Sequence, residues 1–262
     1  MKILTQIYEI QTPSEAEALV KIGVDHIGSV LLSRDEWKVP TVKETVGVVQ
    51  DGRAKSSMIP LFSDADAISR MIDYYRPDIV HFCEDVAGPA GRCEAAGPMA
   101  AVQEKIRIRF PEIGLMRSLP VAEMNDSGGS EGQSETMQRL LSLFDPISDW
   151  FLTDTVINGT MADANEPVSQ PVSGFVGITG ELCNWDVVAS LVRTTKVPVI
   201  LAGGISPENV YEGVLHTRPA GVDSCTRTNA DDGGGGFIRF QKDMEKVAHL
   251  VSEVRRAEQD MK

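Results

Sequence analysis

Pro198-Val199-Ile200-Leu201-Ala202-Gly203-Gly204-Ile205-Ser206-Pro207-Glu208-Asn209-Val210 packs the end of a strand, a glycine turn and the start of a helix into thirteen residues. The apolar run 197–202 is short and rich in β-branched side chains, so it reads as a strand buried on both faces. Gly203 and Gly204 then open backbone conformations closed to other residues and leave N–H groups bare beside the strand end. Ser206-Pro207-Glu208 supplies a capping side chain, an early proline and an acid, the opening of a helix. A buried strand that passes directly into a helix is the repeating unit of a parallel sheet.

The same alternation recurs on either side. Strands are expected at 2–10, 26–32, 57–62, 78–82, 114–117, 150–153, 197–202 and 221–224. Helices are expected at 13–22, 42–50, 64–75, up to about 109, 134–144, 184–193, after Ser206, and from Phe237 to about Gln259. Eight βα units in 262 residues predict one TIM (β/α)8 barrel spanning residues 1–262. The rival, an open doubly wound sheet, would carry a glycine-rich phosphate loop after its first strand, whereas Tyr8-Glu9-Ile10-Gln11 holds no glycine. The stretches 125–134 and 158–173 read as long loops on the catalytic face, of a length suited to lids.

Composition narrows the class of partner. The chain carries 25 Lys and Arg against 38 Asp and Glu, a formal charge of −13. No basic stripe interleaves with aromatics, which argues against nucleic acid. No apolar run approaches the ~18 residues of a membrane span, and no secretory leader is legible, so a cytoplasmic setting is expected. Asn158-Gly159-Thr160 has the form of a glycosylation sequon and reads as a polar loop. Four cysteines without a C-x-x-C pair or a His/Cys cluster indicate neither a disulfide framework nor a metal site. No cofactor motif is present. An anionic ligand must therefore be held by local geometry.

In a barrel the chemistry sits at the C-terminal ends of the strands. The candidates there are Tyr8 and Glu9, Ser33 and Arg34, Ser63 and Asp64, His81 through Asp85, Arg117, Asp154, Gly203 and Gly204, and Ser224 through Arg227. Gly203 and Gly204 beside the last strands either cradle a phosphate or serve only a tight turn. Arg227 is either a phosphate clamp or a loop cation. Cys83 and Cys225 fit small buried hydrophobes as well as nucleophiles, and His81 fits a hydrogen-bonded wall residue as well as a catalyst.

Several of these stretches resemble the phosphoribosylanthranilate isomerase family of tryptophan biosynthesis. Asp149-Trp150-Phe151-Leu152-Thr153-Asp154-Thr155 is similar to its sixth strand, and Gly177-Ile178-Thr179-Gly180 with Asn184-Trp185 to the glycine turn that follows. The stretch 198–210 is similar to its seventh strand and phosphate turn, and Gly221-Val222-Asp223-Ser224 to its eighth. Thr12-Pro13-Ser14-Glu15-Ala16, 23–28 and Ser33-Arg34 follow the same plan. The resemblance implies an Amadori rearrangement of an N-aryl phosphoribosylamine, in which an acid opens the ribose ring and a base removes the proton on the second carbon. It implies Asp154 as the acid, Arg34 as the ligand of the aromatic carboxylate, and Gly180, Gly203, Gly204 and Ser224 around the phosphate, where this chain's own turn adds Cys225, Thr226 and Arg227.

Three stretches depart from the family: the end of the first strand, His81-Phe82-Cys83-Glu84 where it has Gln-Leu-His-Gly, and Cys225-Thr226-Arg227-Thr228-Asn229 where it has small residues and glycine. Gln6-Ile7-Tyr8-Glu9 stands where the family has a strand end with a catalytic cysteine, so Tyr8 takes the place of the base. A phenol with a pKa near 10 is a poor base at neutral pH. Glu9, His81 and Cys225 are the other candidates, and strand alternation should send Tyr8 and Glu9 to opposite faces. A different phosphosugar isomerase or lyase, and a phosphometabolite-binding protein without turnover, are the alternatives. The expected partner is a small phosphorylated metabolite, with a homodimer compatible with the acidic surface.

Overall fold

The computed structural model describes residues 2–88, 91–123, 130–156, 174–177 and 179–261, with backbone alone over 130–133. Eight parallel strands close a barrel in chain order: β1 Leu4–Ile7, β2 His26–Leu31, β3 Lys55–Pro60, β4 Ile79–Phe82, β5 Gly114–Ala122, β6 Trp150–Val156, β7 Val199–Leu201 and β8 Gly221–Ser224. The circle is completed by β1 on β8, with Leu4 opposite Gly221 and Ile7 opposite Ser224. Around it lie α1 Pro13–Ile22, α2 Pro40–Asp51, α3 Ala65–Tyr75, α4 Ala96–Arg109, α5 Ser130–Phe144, α6 Trp185–Thr194, α7 Val210–Thr217 and α8 Met244–Asp260. The expected TIM barrel is the architecture found. The sequon at 158–160, the predicted loop 158–173 and residues 125–129 of the other lie outside the described residues, while 130–134, expected as loop, are the first turn of α5.

Helix starts follow the local chemistry. Thr12 caps α1 by accepting from the Glu15 N–H, Pro13 fills the first turn, and Gly23 ends the helix at φ 92°. Asp64 caps α3 and Asn184 caps α6 in the same way. Strand alternation divides the core. Phe82, Leu119, Phe151 and Val222 point out into the helix layer, while Ile79, Met116, Leu152 and Ile200 fill the barrel.

Several boundaries differ from the sequence reading: α5 begins at Ser130 rather than 134, β6 runs on to Val156, and α7 begins at Val210 rather than directly after Ser206. β5 runs on from Arg117 through Pro120 to Ala122, because past Arg117 it pairs only with β6 and the proline costs no bond toward β4. β1 ends at Ile7 rather than residue 10, since Glu9 turns the chain at φ 66°. The expected helix from Phe237 begins instead at Met244. Residues 237–242 form a strand, β10, paired antiparallel with β9 Asn229–Asp231. The glycine run is the turn of this hairpin, with Asp232 accepting from the Gly234 and Gly236 N–H groups at 2.8 Å each.

The hairpin docks on the end of β1. Arg239 donates to buried Glu9 through Nε at 2.9 Å and also through Nη2, and Asn229 donates to the same carboxylate at 3.3 Å. Lys242 Nζ reaches the Cys225 carbonyl at 2.7 Å. On the far side, Arg117 points out of the barrel between Phe82 and Phe144 and pairs with Glu84 at 2.6 Å, both essentially without solvent contact. Gln103 accepts from its Nε at 3.0 Å. Breaking one partner of such a pair leaves a buried charge uncompensated. Arg117→Met should therefore lower the unfolding free energy by about 3–5 kcal/mol, and Arg117→Met/Glu84→Leu should recover most of it, both read from urea denaturation midpoints.

Candidate active site

Period-two alternation sends Gln6 and Tyr8 of the β1 end, Ser57 of β3, His81 of β4, Ser118 of β5, Asp154 of β6 and Asp223 of β8 into the barrel. Room for the Tyr8 ring comes from Gly28 on β2, where an added Cβ would lie 2.0 Å from the ring. These polar residues form the upper interior layer. Ser57 Oγ and Tyr8 Oη are 2.5 Å apart, Tyr8 Oη and His81 Nδ1 2.9 Å, and His81 Nε2 and Ser118 Oγ 2.9 Å. Ser118 Oγ then donates to Asp154 Oδ2 at 3.1 Å. Across the opening Asp223 accepts from Gln6 Nε2 at 3.2 Å.

Two hollows meet over this layer. A polar cleft is walled by Thr179, Gly180, Gly203, Gly204, Thr226 and Arg227. An apolar chamber is walled by Val30, Ile59, Leu61, Leu152 and Val176, together with Tyr8, Glu9, His81 and Cys83. Asp154, Asp223 and Cys225 line both. Three glycines make this arrangement possible. A Cβ on Gly177 would fall 2.7 Å from the Asp154 carboxylate, one on Gly203 2.3 Å from Thr155 Oγ1, and one on Gly204 2.7 Å from the backbone of Glu181. Each has positive φ. The glycine pair thus seats the 181–183 segment as well as walling the cleft.

The electrostatics follow from burial. Burial lifts Asp154 to about 7 against the opposing Ser118 hydrogen bond. Burial likewise lifts Asp223 to about 7; Gln6 opposes this and the nearby Asp154 charge adds to it. Tyr8 is pushed well above 10, chiefly by burial, and His81 is pushed down to about 3 by burial, then by the charge of Arg117. His81 is therefore a neutral imidazole. Burial also raises the Cys83 and Cys225 thiols, which stay protonated. Glu9 sits below the ordinary carboxylate range: its burial is outweighed by Arg239, Lys242 and Asn229.

The structure brings together Asp154, Tyr8, His81, Gly180, Gly203, Gly204, Cys225, Thr226 and Arg227. Two expected residues lie elsewhere. Ser224 faces out of the barrel, its hydroxyl donating to the Ile205 carbonyl at 2.7 Å. Arg34 is exposed and pairs with Asp64 at 3.6 Å, away from the lining of either hollow. Glu9 reaches the chamber together with Tyr8 because its left-handed backbone breaks the alternation that would have separated them. Arg227 spends two donors on the Gly180 carbonyl, at 3.0 and 2.8 Å, which ties the two cleft walls together. Asp223 and Ser118 are absent from the candidates drawn from the sequence. Counting by twos from any inward residue of their strands would have found them. Among the described residues no three His, Cys, Asp or Glu side chains converge as a metal site.

Residues 129–252 match the family model described as N-(5'phosphoribosyl)anthranilate (PRA) isomerase. A relative from Methanosarcina mazei named N-(5'-phosphoribosyl)anthranilate isomerase 1 is 26% identical over 259 residues, covering 97% of this chain and 96% of its own. The structure of N-(5'-phosphoribosyl)anthranilate isomerase from Pyrococcus furiosus superposes with a TM-score of 0.66 at 17% identity, covering 97% of this chain and 99% of that one. A phosphoribosyl anthranilate isomerase complexed with reduced 1-(o-carboxyphenylamino)-1-deoxyribulose 5-phosphate gives 0.65 at 16%, with the same coverage. Monomers made from the dimeric enzyme of Thermotoga maritima give 0.63 at 16%, covering 97% and 98%.

The elevated Asp154 titration has a thermodynamic consequence of definite sign. Its folded value of about 7 lies above the ordinary 3.8, so the folded protein binds the extra proton between those values. That stabilisation is complete below the unfolded value and is lost as pH rises through the folded one. Asp154→Asn should thus gain stability relative to the parent on going from pH 5 to pH 8, by about 2–3 kcal/mol. Urea titrations of both proteins at both pH values measure the difference.

Proposed function

We propose that the chain is a member of the N-(5'-phosphoribosyl)anthranilate isomerase family and isomerises N-(5'-phosphoribosyl)anthranilate to the aminodeoxyribulose phosphate in tryptophan biosynthesis, a reading supported by the family model over 129–252 and by the full-length relative. The observation that carries the reading is the pair of carboxyls, Asp154 half-buried and Asp223 buried, both raised to about 7 where a polar cleft meets an apolar chamber. The phosphate takes the cleft, against Gly180, Gly203, Gly204, Cys225, Thr226 and Arg227. The aromatic ring takes the chamber between Val30, Ile59 and Leu61. The ribose then lies over the two carboxyls.

Two coupled carboxyls titrating near neutrality populate a state with one proton between them. In the productive state Asp154 holds it and donates it to the ribose ring oxygen; the C1–O bond breaks and the nitrogen lone pair forms the iminium. Asp223, ionised, takes the proton from the second carbon, and the electron pair of that C–H bond neutralises the iminium as an enolamine. Return of a proton to the first carbon, with loss of the hydroxyl proton on the second, yields the ketone. The other candidate bases are poorly equipped: Tyr8 and Cys225 are held protonated, Glu9 is committed to Arg239, and His81 is too weak. Arg34 is the cation assigned to the anthranilate carboxylate. Its exposed pair with Asp64 opens at a cost of about 0–1 kcal/mol. We further propose a cytoplasmic enzyme that needs no cofactor and forms a homodimer, a state supported by the dimeric Thermotoga maritima neighbour and measurable by sedimentation.

The test is turnover of N-(5'-phosphoribosyl)anthranilate by the purified chain, together with rescue of a tryptophan auxotroph lacking this step. Asp154→Asn and Asp223→Asn should each lower kcat by about 10²–10⁴-fold. Normal turnover of Asp223→Asn would remove it as the base. Arg34→Ala should raise KM about tenfold and leave kcat nearly unchanged, a loss of about 1.4 kcal/mol in binding. A phosphorylated ligand that raises Tm without any conversion would replace the enzyme by a binding protein.

A further inference from the structure

Tyr8 and His81 are buried, titratable and unused by the chemistry above, yet both belong to an unbroken chain that ends on Asp154. Its order is Ser57 Oγ, Tyr8 Oη, His81 Nδ1 and Nε2, Ser118 Oγ, Asp154 Oδ2, with successive separations of 2.5, 2.9, 2.9 and 3.1 Å. All four residues ahead of Asp154 are almost wholly buried. Their partners are therefore one another rather than bulk water.

We propose that this chain is polarised in one direction and that His81, acting through Ser118, is a positioning residue that confines the catalytic proton of Asp154 to Oδ1. The proposal deepens the isomerase reading and supplies a role for the residues at its missing base. A neutral imidazole has one N–H and one acceptor nitrogen. An ionised Asp154 only accepts, so Ser118 donates to Oδ2. Ser118 then receives the His81 Nε2–H, Nδ1 is left to accept the Tyr8 O–H, and Tyr8 accepts from Ser57. Tyr8 and Ser118 each give and take one hydrogen bond, and Ser57 at the head gives one.

When Asp154 gains a proton, two arrangements are open. Placing it on Oδ2 requires Ser118 to reverse, His81 to exchange tautomers, and Tyr8 and Ser57 to reverse with it. Placing it on Oδ1 disturbs none of the four bonds. The second arrangement keeps every buried group satisfied without a concerted change, so the acid presents its proton from one oxygen in every turnover. Other titratable groups acting on Asp154 and its surroundings are Asp223 on β8, Cys83 after β4 and Cys183 ahead of α6, while Arg117 acts on His81 from β5. None of them bonds to the imidazole, whose two ring nitrogens are taken by Tyr8 and Ser118.

The tautomer is measured directly by long-range ¹H–¹⁵N NMR of the intact labelled protein, with His81 assigned by the loss of its signals in His81→Phe. His81 should be neutral with its proton on Nε2 at both pH 6 and pH 8, on either side of the Asp154 titration. A proton on Nδ1, an imidazolium, or a tautomer that exchanges between those pH values would overturn the proposal. Following the Asp154 carboxyl by ¹³C NMR provides the second arm. Ser118→Ala should raise its titration by about one unit, tenfold in proton affinity. His81→Phe should move it the same way, Ser118→Thr should restore it, and the double variant should match Ser118→Ala alone. Movement in Ser118→Ala without movement in His81→Phe would also overturn it. These readouts need no substrate. If turnover fails while they hold, the isomerase reading is wrong and the chain stands; if turnover holds while they fail, the reverse.

Discussion

Burying a carboxyl without a cation beside it is the constraint from which the rest of this molecule can be understood. Asp154 projects, half-buried, into a closed ring of strands where solvation is reduced, and among the described residues the Ser118 hydroxyl donates to it. The charged form is disfavoured, so the group keeps its proton near neutral pH and becomes an acid without any residue being added to make it one. Asp223 faces the same interior and feels the first carboxyl as a further penalty. The surrounding architecture respects this balance. Arg117, one residue before Ser118, faces the opposite side of the sheet and neutralises Glu84 in the helix layer. Were it in register with the barrel interior, its charge would pull Asp154 back to an ordinary acidity.

The same separation of charge is seen at the rim. Glu9 sits beside the chamber, but Arg239, Lys242 and Asn229 hold it as a committed anion, and the hairpin that carries them exists where a continuous helix was expected. The strained backbone at Glu9 fits this arrangement. A left-handed conformation at a non-glycine residue costs of order 1–3 kcal/mol, and three donors to one buried carboxylate offset it. The result is a fixed lip between the first and eighth strands, made from residues that take no part in the proposed proton transfers.

The barrel was legible in the sequence because the strands are short apolar runs and several helices begin with their own local signal, as at Thr12-Pro13, Asp64 and Asn184. The glycine turn at 203–204 was legible because such conformations exclude other residues. The hairpin was hidden, since Phe237 through Lys242 alternates weakly and adjoins a strongly amphipathic helix, leaving the boundary at Asp243 without a contrast to mark it. Asp223 and Ser118 were hidden for another reason. Whether a polar residue in a buried strand faces the barrel or the helices is a question of register, and one residue of error inverts the answer. Ser224 shows the inversion from the other side: it is adjacent to Asp223 and turned wholly away from the site.

Tyr8 poses the sharper problem, because residue type alone assigns it the wrong task. A tyrosine where the family resemblance implies a cysteine looks like a failed base. The geometry makes it the second member of a hydrogen-bonded series whose far end is Asp154. Burial holds its phenol protonated, as it holds the Cys83 and Cys225 thiols of the same chamber. In the proposed reaction the labour therefore falls to two copies of one kind of side chain, Asp154 and Asp223, one giving a proton while the other takes one.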